Sequence, residues 1–159
     1  MPSIAELEDQ FIQDFSELEN WEEKYDYLIE LGEELGPMDP ALKTSVNLVK
    51  GCQSSVWFAT RCEDQKLYIQ AESDSLIIKG IVAILVKLLS GQPASEIEHA
   101  NLTLFETLGL WRHLSSQRSN GVTAMLAHLK QSAALCKPGL EHFADGSAGY
   151  SNMFQARLT

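Results

Sequence analysis

Basic residues are scarce in this sequence. Twelve lysines and arginines stand against 22 aspartates and glutamates among 159 residues, which gives a formal net charge of −10 at pH 7. Because a nucleic-acid binder needs a basic face to displace counterions from phosphates, this balance argues against nucleic acid as a partner. The acidic start of the chain also differs from a signal peptide, which begins with basic residues and continues with an apolar core.

Cysteine is rare as well, with three residues in the whole chain. Cys52, Cys62 and Cys136 form an odd number without a close pair, so we expect no disulfide framework and a reducing, cytoplasmic compartment. Four scattered histidines show no Cys-x-x-Cys or His-x-x-x-His spacing, which argues against a metal site. The chain also lacks a phosphate-binding glycine loop and a Gly-x-Ser-x-Gly nucleophile motif.

No apolar run is long enough to cross a membrane. Residues 76–90 are the most apolar segment, but as a helix they span about 22 Å, short of the roughly 30 Å core of a bilayer. Lys79 and Lys87 interrupt this run. We therefore predict a buried central helix and no membrane partner.

Two amphipathic helices are predicted near the N-terminus. Ser3 and Glu6 have the spacing of a capping box, and Asn20 stands before a second helix that Gly36-Pro37 ends. Residues 1–36 hold 12 acids and one base, a net charge of −11. This charge is typical of solvated helix faces, although it is also compatible with an acidic face that attracts or repels a partner.

The middle of the chain predicts a hairpin within a small antiparallel sheet. Residues 55–62 are rich in strand formers, and residues 67–72 alternate between apolar and polar side chains. Cys62 shares a strand face with Val56 and Phe58, so we expect it to be a packed, free thiol.

The C-terminal third predicts one long helix and then a change of composition. Residues 115–120 are interpreted as a polar loop and residues 121–135 as a helix, at whose end Cys136 has no obvious neighbour. From residue 137 onward, glycine and proline become frequent and the periodicity is lost. That segment is compatible with a flexible tail or with a chain that folds back on the domain.

Cys52 is the strongest candidate for chemistry. Gly51 precedes it and Gln53-Ser54 follow, at the junction between an extended segment and a strand, so the thiol is expected on a loop. Lys50 and backbone N–H groups of the turn are expected to lower the thiol pKa and raise the thiolate fraction. From the spacing alone, an inert loop or core thiol is also compatible with this pattern.

Arg118 lies in the segment SSQRSNG. It is compatible with a solvated arginine, with a cation that stabilises a thiolate at Cys52, or with an anchor for a partner.

Four segments together resemble the SufE/CsdE family of cysteine-desulfurase sulfur acceptors, and they occur in the family's order. They are NWEEKYDYLIELGEELG (20–36), VKGCQSSVWF (49–58), SDSLIIKGIVAILVKLLSG (73–91) and HLSSQRSNGVTAMLAHLK (113–130). The resemblance covers about residues 20–135. It implies a compact single α+β domain, helices packed on a small antiparallel β-sheet, over residues 1–136, with residues 137–159 as an extension beyond the family pattern.

The resemblance also implies a role for Cys52. In the family, the cysteine at this position accepts sulfane sulfur from a cysteine desulfurase that uses pyridoxal phosphate, and carries it as a persulfide to an iron–sulfur cluster scaffold. The cofactor belongs to the desulfurase, so no cofactor of the chain's own and no independent turnover are expected. Lys50, Gly51, Gln53 and Ser54 are then expected to support the thiolate or to contact the partner.

Arg118 and Asn120 match a family loop that lies near the partner. Ser116 departs from the family, which usually has a proline there.

Three alternatives remain open at this point. An adaptor would activate the desulfurase by docking alone, and an iron–sulfur scaffold would need several ligands close together. A cysteine hydrolase would turn over a substrate without any partner.

Overall fold

Side-chain caps begin the first two helices, as predicted. In the computed structural model, which describes residues 1–113, 116–136, 141–142 and 148–149, helix α1 spans Ile4–Ser16 and helix α2 spans Trp21–Glu34. The Ser3 hydroxyl accepts the Glu6 N–H, while the Glu6 carboxylate accepts the Ser3 N–H. The Asn20 side chain accepts the N–H of Glu23. A short 3₁₀ helix, Pro40–Leu42, follows α2.

The predicted hairpin is present and supplies two of the three strands of an antiparallel sheet. Strand β1 (Val56–Glu63) pairs with β2 (Lys66–Ser73), and β2 pairs with the short strand β3 (Gln92–Pro93). Both residues of the β1–β2 turn, Asp64 and Gln65, have positive φ, which matches the twist of a two-residue hairpin.

Helix α3 (Leu76–Leu89) lies between the sheet and α2 as the buried central helix that its apolar sequence predicts. Nine of its 14 residues are buried. A Cβ atom at position 80 would collide with the carbonyl of Leu28, so Gly80 allows α2 and α3 to cross closely. Among the described residues, no helix combines the length and the hydropathy that a membrane span requires.

Four helices and a second small sheet complete the described chain. They are α4 (Ala94–Glu98), α5 (Leu104–Thr107), α6 (Leu110–His113), α7 (Ser116–Ala134), β4 (Glu141–His142) and β5 (Ala148–Gly149). The buried carboxylate of Glu8 joins α1 to α5, because it accepts the N–H groups of Thr103 and Leu104 at 2.7 and 2.9 Å. The result is the α+β domain that the sequence predicted.

Helix α7 begins earlier than predicted. Residues 116–120, interpreted as a polar loop, form its first turn, and the residue at which the helix was expected to start, Gly121, lies inside it. The sequence signal misled because a glycine after polar residues is typical of a loop. Here Gly121 is instead buried against another segment of the chain.

A disulfide joins Cys62 of β1 to Cys136 just beyond α7, with the two Cα atoms 5.6 Å apart. The prediction of no disulfide, with a free thiol at Cys62 and no neighbour for Cys136, is therefore wrong. The two cysteines are separated by 74 positions, and only the packing of the end of α7 beside the hairpin brings them together. Both sulfurs lie in the core, where Cys62 is 3% and Cys136 6% exposed.

Removing this disulfide should destabilise the fold. A Cys62→Ala/Cys136→Ala double variant is expected to lose about 2–4 kcal/mol of unfolding free energy, because the crosslink closes a long loop of the unfolded chain. Urea unfolding, with and without a thiol reductant, measures the difference. The reductant should lower the stability of the original chain and leave the double variant unchanged; a chain equally stable in both conditions would contradict the crosslink.

Candidate functional site

The loop that carries Cys52 is closed at its base by a short extended segment. The N–H of Val49 donates to the carbonyl of Val56 at 2.8 Å, and the N–H of Phe58 donates to the carbonyl of Asn47 at 2.9 Å. Residues 47–49, which we call the edge segment, therefore run antiparallel to the start of β1. Residues 50–55 form the cysteine loop between them, and Gly51 turns it at a φ of +92°.

The Cys52 side chain is half-buried against α7. Its Sγ lies 3.4 Å from the carbonyl oxygen of Gly121, to which the thiol donates a weak hydrogen bond. A Cβ added at Gly121 would stand 3.5 Å from this sulfur, and one added at Gly51 would stand 3.3 Å from the Cβ of Ala124. The loop packs this closely because Gly121 and Ala124 offer almost no side chain.

Burial raises the pKa of the Cys52 thiol. The expectation that Lys50 and backbone N–H groups lower this pKa is wrong for the structure described here. Lys50 is exposed, and the group nearest the sulfur is a carbonyl oxygen, which favours the protonated thiol over the thiolate. In this arrangement Cys52 is a sheltered, neutral thiol.

A pair of hydrogen bonds fastens the far end of the cysteine loop. The N–H of Ser55 donates to the carboxylate of Asp74 at 3.1 Å, and the N–H of Asp74 donates to the carbonyl of Ser55 at 3.3 Å. Asp74 itself is exposed, just before the serine that caps α3. The loop is thus held by polar contacts at both ends and by small residues of α7 beneath it.

The other predicted site residues fall into two groups. Gly51 and Gln53 are exposed on the cysteine loop, and Ser54 is half-buried there. Asn120 is exposed on the first turns of α7, next to the glycine that contacts the thiol. The side chain of Arg118 lies outside the described residues.

Sequence reasoning missed three residues of the site, namely Gly121, Ala124 and Asp74. Gly121 and Ala124 stand three positions apart, and such a pair of small residues on one helix face is a signal of close packing. Nothing in the sequence indicated which segment would pack there.

An open groove lies beside the cysteine loop, between residues 45–50 and α7. Its volume is about 510 Å³. One side is formed by residues 45, 46 and 48–50, and the other by Ala124, Ala127, His128 and Gln131. Burial lowers the pKa of His128, which also packs beside the ring of Phe58, so the imidazole is neutral at pH 7. In the described part of the chain, no three His, Cys, Asp or Glu side chains are grouped so that they could hold a metal ion.

The comparisons with known proteins identify the family of this chain. A family model described as SufE, an Fe–S metabolism associated domain, matches residues 9–133. The chain belongs to the SufE family. It is 45% identical over 130 residues to an uncharacterised SufE-like protein of Rhizobium meliloti (strain 1021), which covers 79% of this chain and 93% of that protein.

Two further comparisons support the family and the fold. A SufE-like protein of Rhizobium etli is 40% identical over 130 residues, covering 79% of this chain and 88% of its own. The solution structure of a hypothetical protein from Thermus thermophilus superimposes with a TM-score of 0.67 at 18% identity, over 80% of this chain and 93% of that one. That structure shows a shared fold, and the family assignment associates this chain with Fe–S metabolism.

The burial of Cys52 leads to a prediction about alkylation. Because the neutral thiol is favoured, iodoacetamide should label the folded protein several-fold more slowly at pH 7 than the urea-unfolded chain. The rate should keep rising with pH above the usual thiol pKa of about 8.5. Mass spectrometry of native protein reports Cys52 alone, since the other two cysteines are disulfide-bonded. A folded-state midpoint below that of the unfolded chain would show an activated thiolate instead.

Loosening the loop should expose the same thiol. Asp74→Ala removes the carboxylate that holds the N–H of Ser55, a contact worth about 1 kcal/mol, so alkylation of Cys52 at pH 7 should be roughly fivefold faster. Asp9→Ala, which makes the same charge change on an exposed position of α1, is the matched control and should leave the rate unchanged. Equal rates in the two variants would mean that Asp74 does not hold the loop.

Proposed function

We propose that this protein is a sulfur carrier. It takes persulfide sulfur from a pyridoxal-phosphate cysteine desulfurase onto Cys52, stimulates that enzyme, and passes the sulfur to an iron–sulfur cluster scaffold of the SufBCD type. The observation that carries the proposal is that, of the chain's three cysteines, only Cys52 is free, and it stands on a loop held by weak contacts.

The transfer step needs only a thiolate at Cys52. This thiolate attacks the terminal sulfur of the desulfurase persulfide, the bond between the two sulfur atoms breaks, and the desulfurase cysteine leaves as a thiolate. No net oxidation occurs, because the sulfane sulfur moves from one cysteine to another. The cleavage of the carbon–sulfur bond of free cysteine belongs to the partner's cofactor, so the chain requires no cofactor and no independent turnover of its own.

The buried resting position of Cys52 fits a carrier that meets two partners in turn. A neutral thiol reacts slowly with stray oxidants and electrophiles, because the thiolate is the nucleophile. When a docked desulfurase draws the loop away from Gly121, the desolvation that raises the thiol pKa is relieved. The carrier is then reactive only in the complex, and the same half-buried position shelters the persulfide between encounters.

The site residues take supporting roles in this proposal. Lys50, Gly51, Gln53 and Ser54 flank the sulfur on the cysteine loop, and Asn120 stands beside Gly121 at the start of α7. We propose that the desulfurase covers the surface that these residues form and that it also contacts Arg118.

Replacing Cys52 by serine tests the proposal. After incubation with a cysteine desulfurase and cysteine, the original chain should gain about 32 Da, one sulfur atom, on the peptide that contains Cys52. Cys52→Ser should gain nothing and should no longer stimulate the desulfurase, while its urea unfolding remains unchanged. The Cys62→Ala/Cys136→Ala variant is the matched cysteine control and should still gain the sulfur.

One outcome would replace the carrier by an adaptor. If Cys52→Ser stimulates the desulfurase as fully as the original chain does, docking alone accounts for the activation. Intact-mass measurement then distinguishes the two functions directly, because an adaptor carries no added sulfur.

A further inference from the structure

The sequence on either side of Cys52 carries no acid. Residues 40–62, which include the edge segment, the loop and most of β1, contain Lys43, Lys50 and Arg61 and none of the protein's 22 aspartates and glutamates. Residues 107–140, which include α7, likewise contain four bases and no acid. In a protein of net charge −10, the two walls of the groove thus come from stretches of sequence free of negative charge.

The groove itself also lacks acidic side chains. Lys50 is the charged residue that lines it, since burial keeps His128 neutral at pH 7. Five of the other eight lining residues are apolar, and one of these, Val46, is 61% exposed. An exposed apolar side chain beside a lysine fits a partner segment that offers both apolar and acidic side chains.

The backbone of the edge segment adds a third observation. The carbonyl of Asn47 accepts a hydrogen bond from β1, and the N–H of Val49 donates one to β1. Because successive peptide groups of a strand alternate in direction, the N–H and C=O of Leu48 point away from β1. Within the described residues, neither group has a hydrogen-bond partner. Such a free edge can pair with an added extended segment, a common mode of peptide recognition.

We propose that the groove docks an extended segment of the desulfurase that is acidic and partly apolar, and that pairs with the backbone of Leu48. This inference rests on the proposed function, because it names the surface by which the carrier's partner is held. The docked segment would lie beside Lys50, which is two positions before Cys52 in the chain. It would also contact Ala124, on which Gly51 packs. Docking therefore acts directly on the packing of the cysteine loop against α7.

The acidic N-terminal helices influence how an acidic partner approaches the groove. Residues 1–36 carry a net charge of −11. They repel an acidic partner surface, while the groove, which no acidic side chain lines, does not. A desulfurase that presents an acidic segment is therefore steered toward Cys52 during encounter.

A charge reversal tests the electrostatic part. Lys50→Glu should weaken binding to the desulfurase about fivefold in low salt, at about 50 mM NaCl, and the difference should shrink at about 500 mM because of screening. Lys66→Glu makes the same charge change at the opposite end of the hairpin and should leave binding unchanged. Equal weakening by the two variants would overturn the local role of the groove.

A filled groove tests the site itself. Ala127→Trp places a large side chain in the groove from the α7 side and should weaken binding at least tenfold. Leu135→Trp, at an exposed position just after the C-terminal end of α7, is the matched control. Binding that survives Ala127→Trp would show that the desulfurase docks elsewhere.

Hydrogen exchange tests the strand pairing. In the free protein the N–H of Leu48 should exchange quickly, while that of Val49 is already protected by its bond to Val56. Addition of the desulfurase should slow the exchange of Leu48 at least tenfold. The proposal is overturned if the exchange of Leu48 is not slowed by the desulfurase. It is also overturned if the slowing results from self-association of the protein.

A small-molecule sulfur donor separates this inference from the carrier function. Inorganic polysulfide needs no docking, so Ala127→Trp should still gain sulfur on Cys52 from it at the original rate. If Lys50→Glu and Ala127→Trp both bind the desulfurase normally while Cys52 still accepts its sulfur, the groove proposal fails and the carrier stands. If Cys52 accepts no sulfur from the desulfurase, the carrier fails whatever the groove binds.

Discussion

The packing of the cysteine loop on α7 is the contact on which the site depends. It requires that residues 121 and 124 carry no side chain larger than a methyl group, because the Cys52 sulfur and Gly51 rest directly on them. A larger side chain at either position would lift the loop from the helix and expose the thiol. The same contact raises the thiol pKa, since it replaces water around the sulfur with a helix backbone and its carbonyl oxygen.

Helix α7 can serve as this support because it is held firmly to the rest of the domain. Its inward face is buried in the core at Val122, Met125, Leu129 and Ala133. The ammonium of Lys130 donates to the carbonyl of Ala100 at 2.6 Å, and the disulfide of Cys136 ties the end of the helix to β1. The helix is thus fixed by apolar burial along its length and by a covalent bond at one end, while the cysteine loop is held by weaker polar contacts.

The distribution of sulfur chemistry follows from this arrangement. Two of the three cysteines are consumed in a buried disulfide, at the far end of β1 from the cysteine loop. Only Cys52 remains a free thiol, and the sequence on either side of it, residues 40–62, contains no acid. The stabilising crosslink and the proposed sulfur chemistry therefore use different sulfur atoms, so the cysteine loop can move without loosening the core.

Much of the fold follows from local patterns in the sequence. Caps at Ser3 and Asn20, the alternation of the hairpin and the apolar character of α3 involve neighbours a few positions apart, so the sequence alone determined these elements. The glycine before Cys52 likewise indicated a loop, and the four segments together indicated the family. Only the tertiary structure decided that Cys62 meets Cys136, that Gly121 lies inside α7 and that the Cys52 thiol is neutral. The reason is physical: each of these depends on a contact between residues about 70 positions apart, and no local pattern encodes which distant surface a side chain will meet.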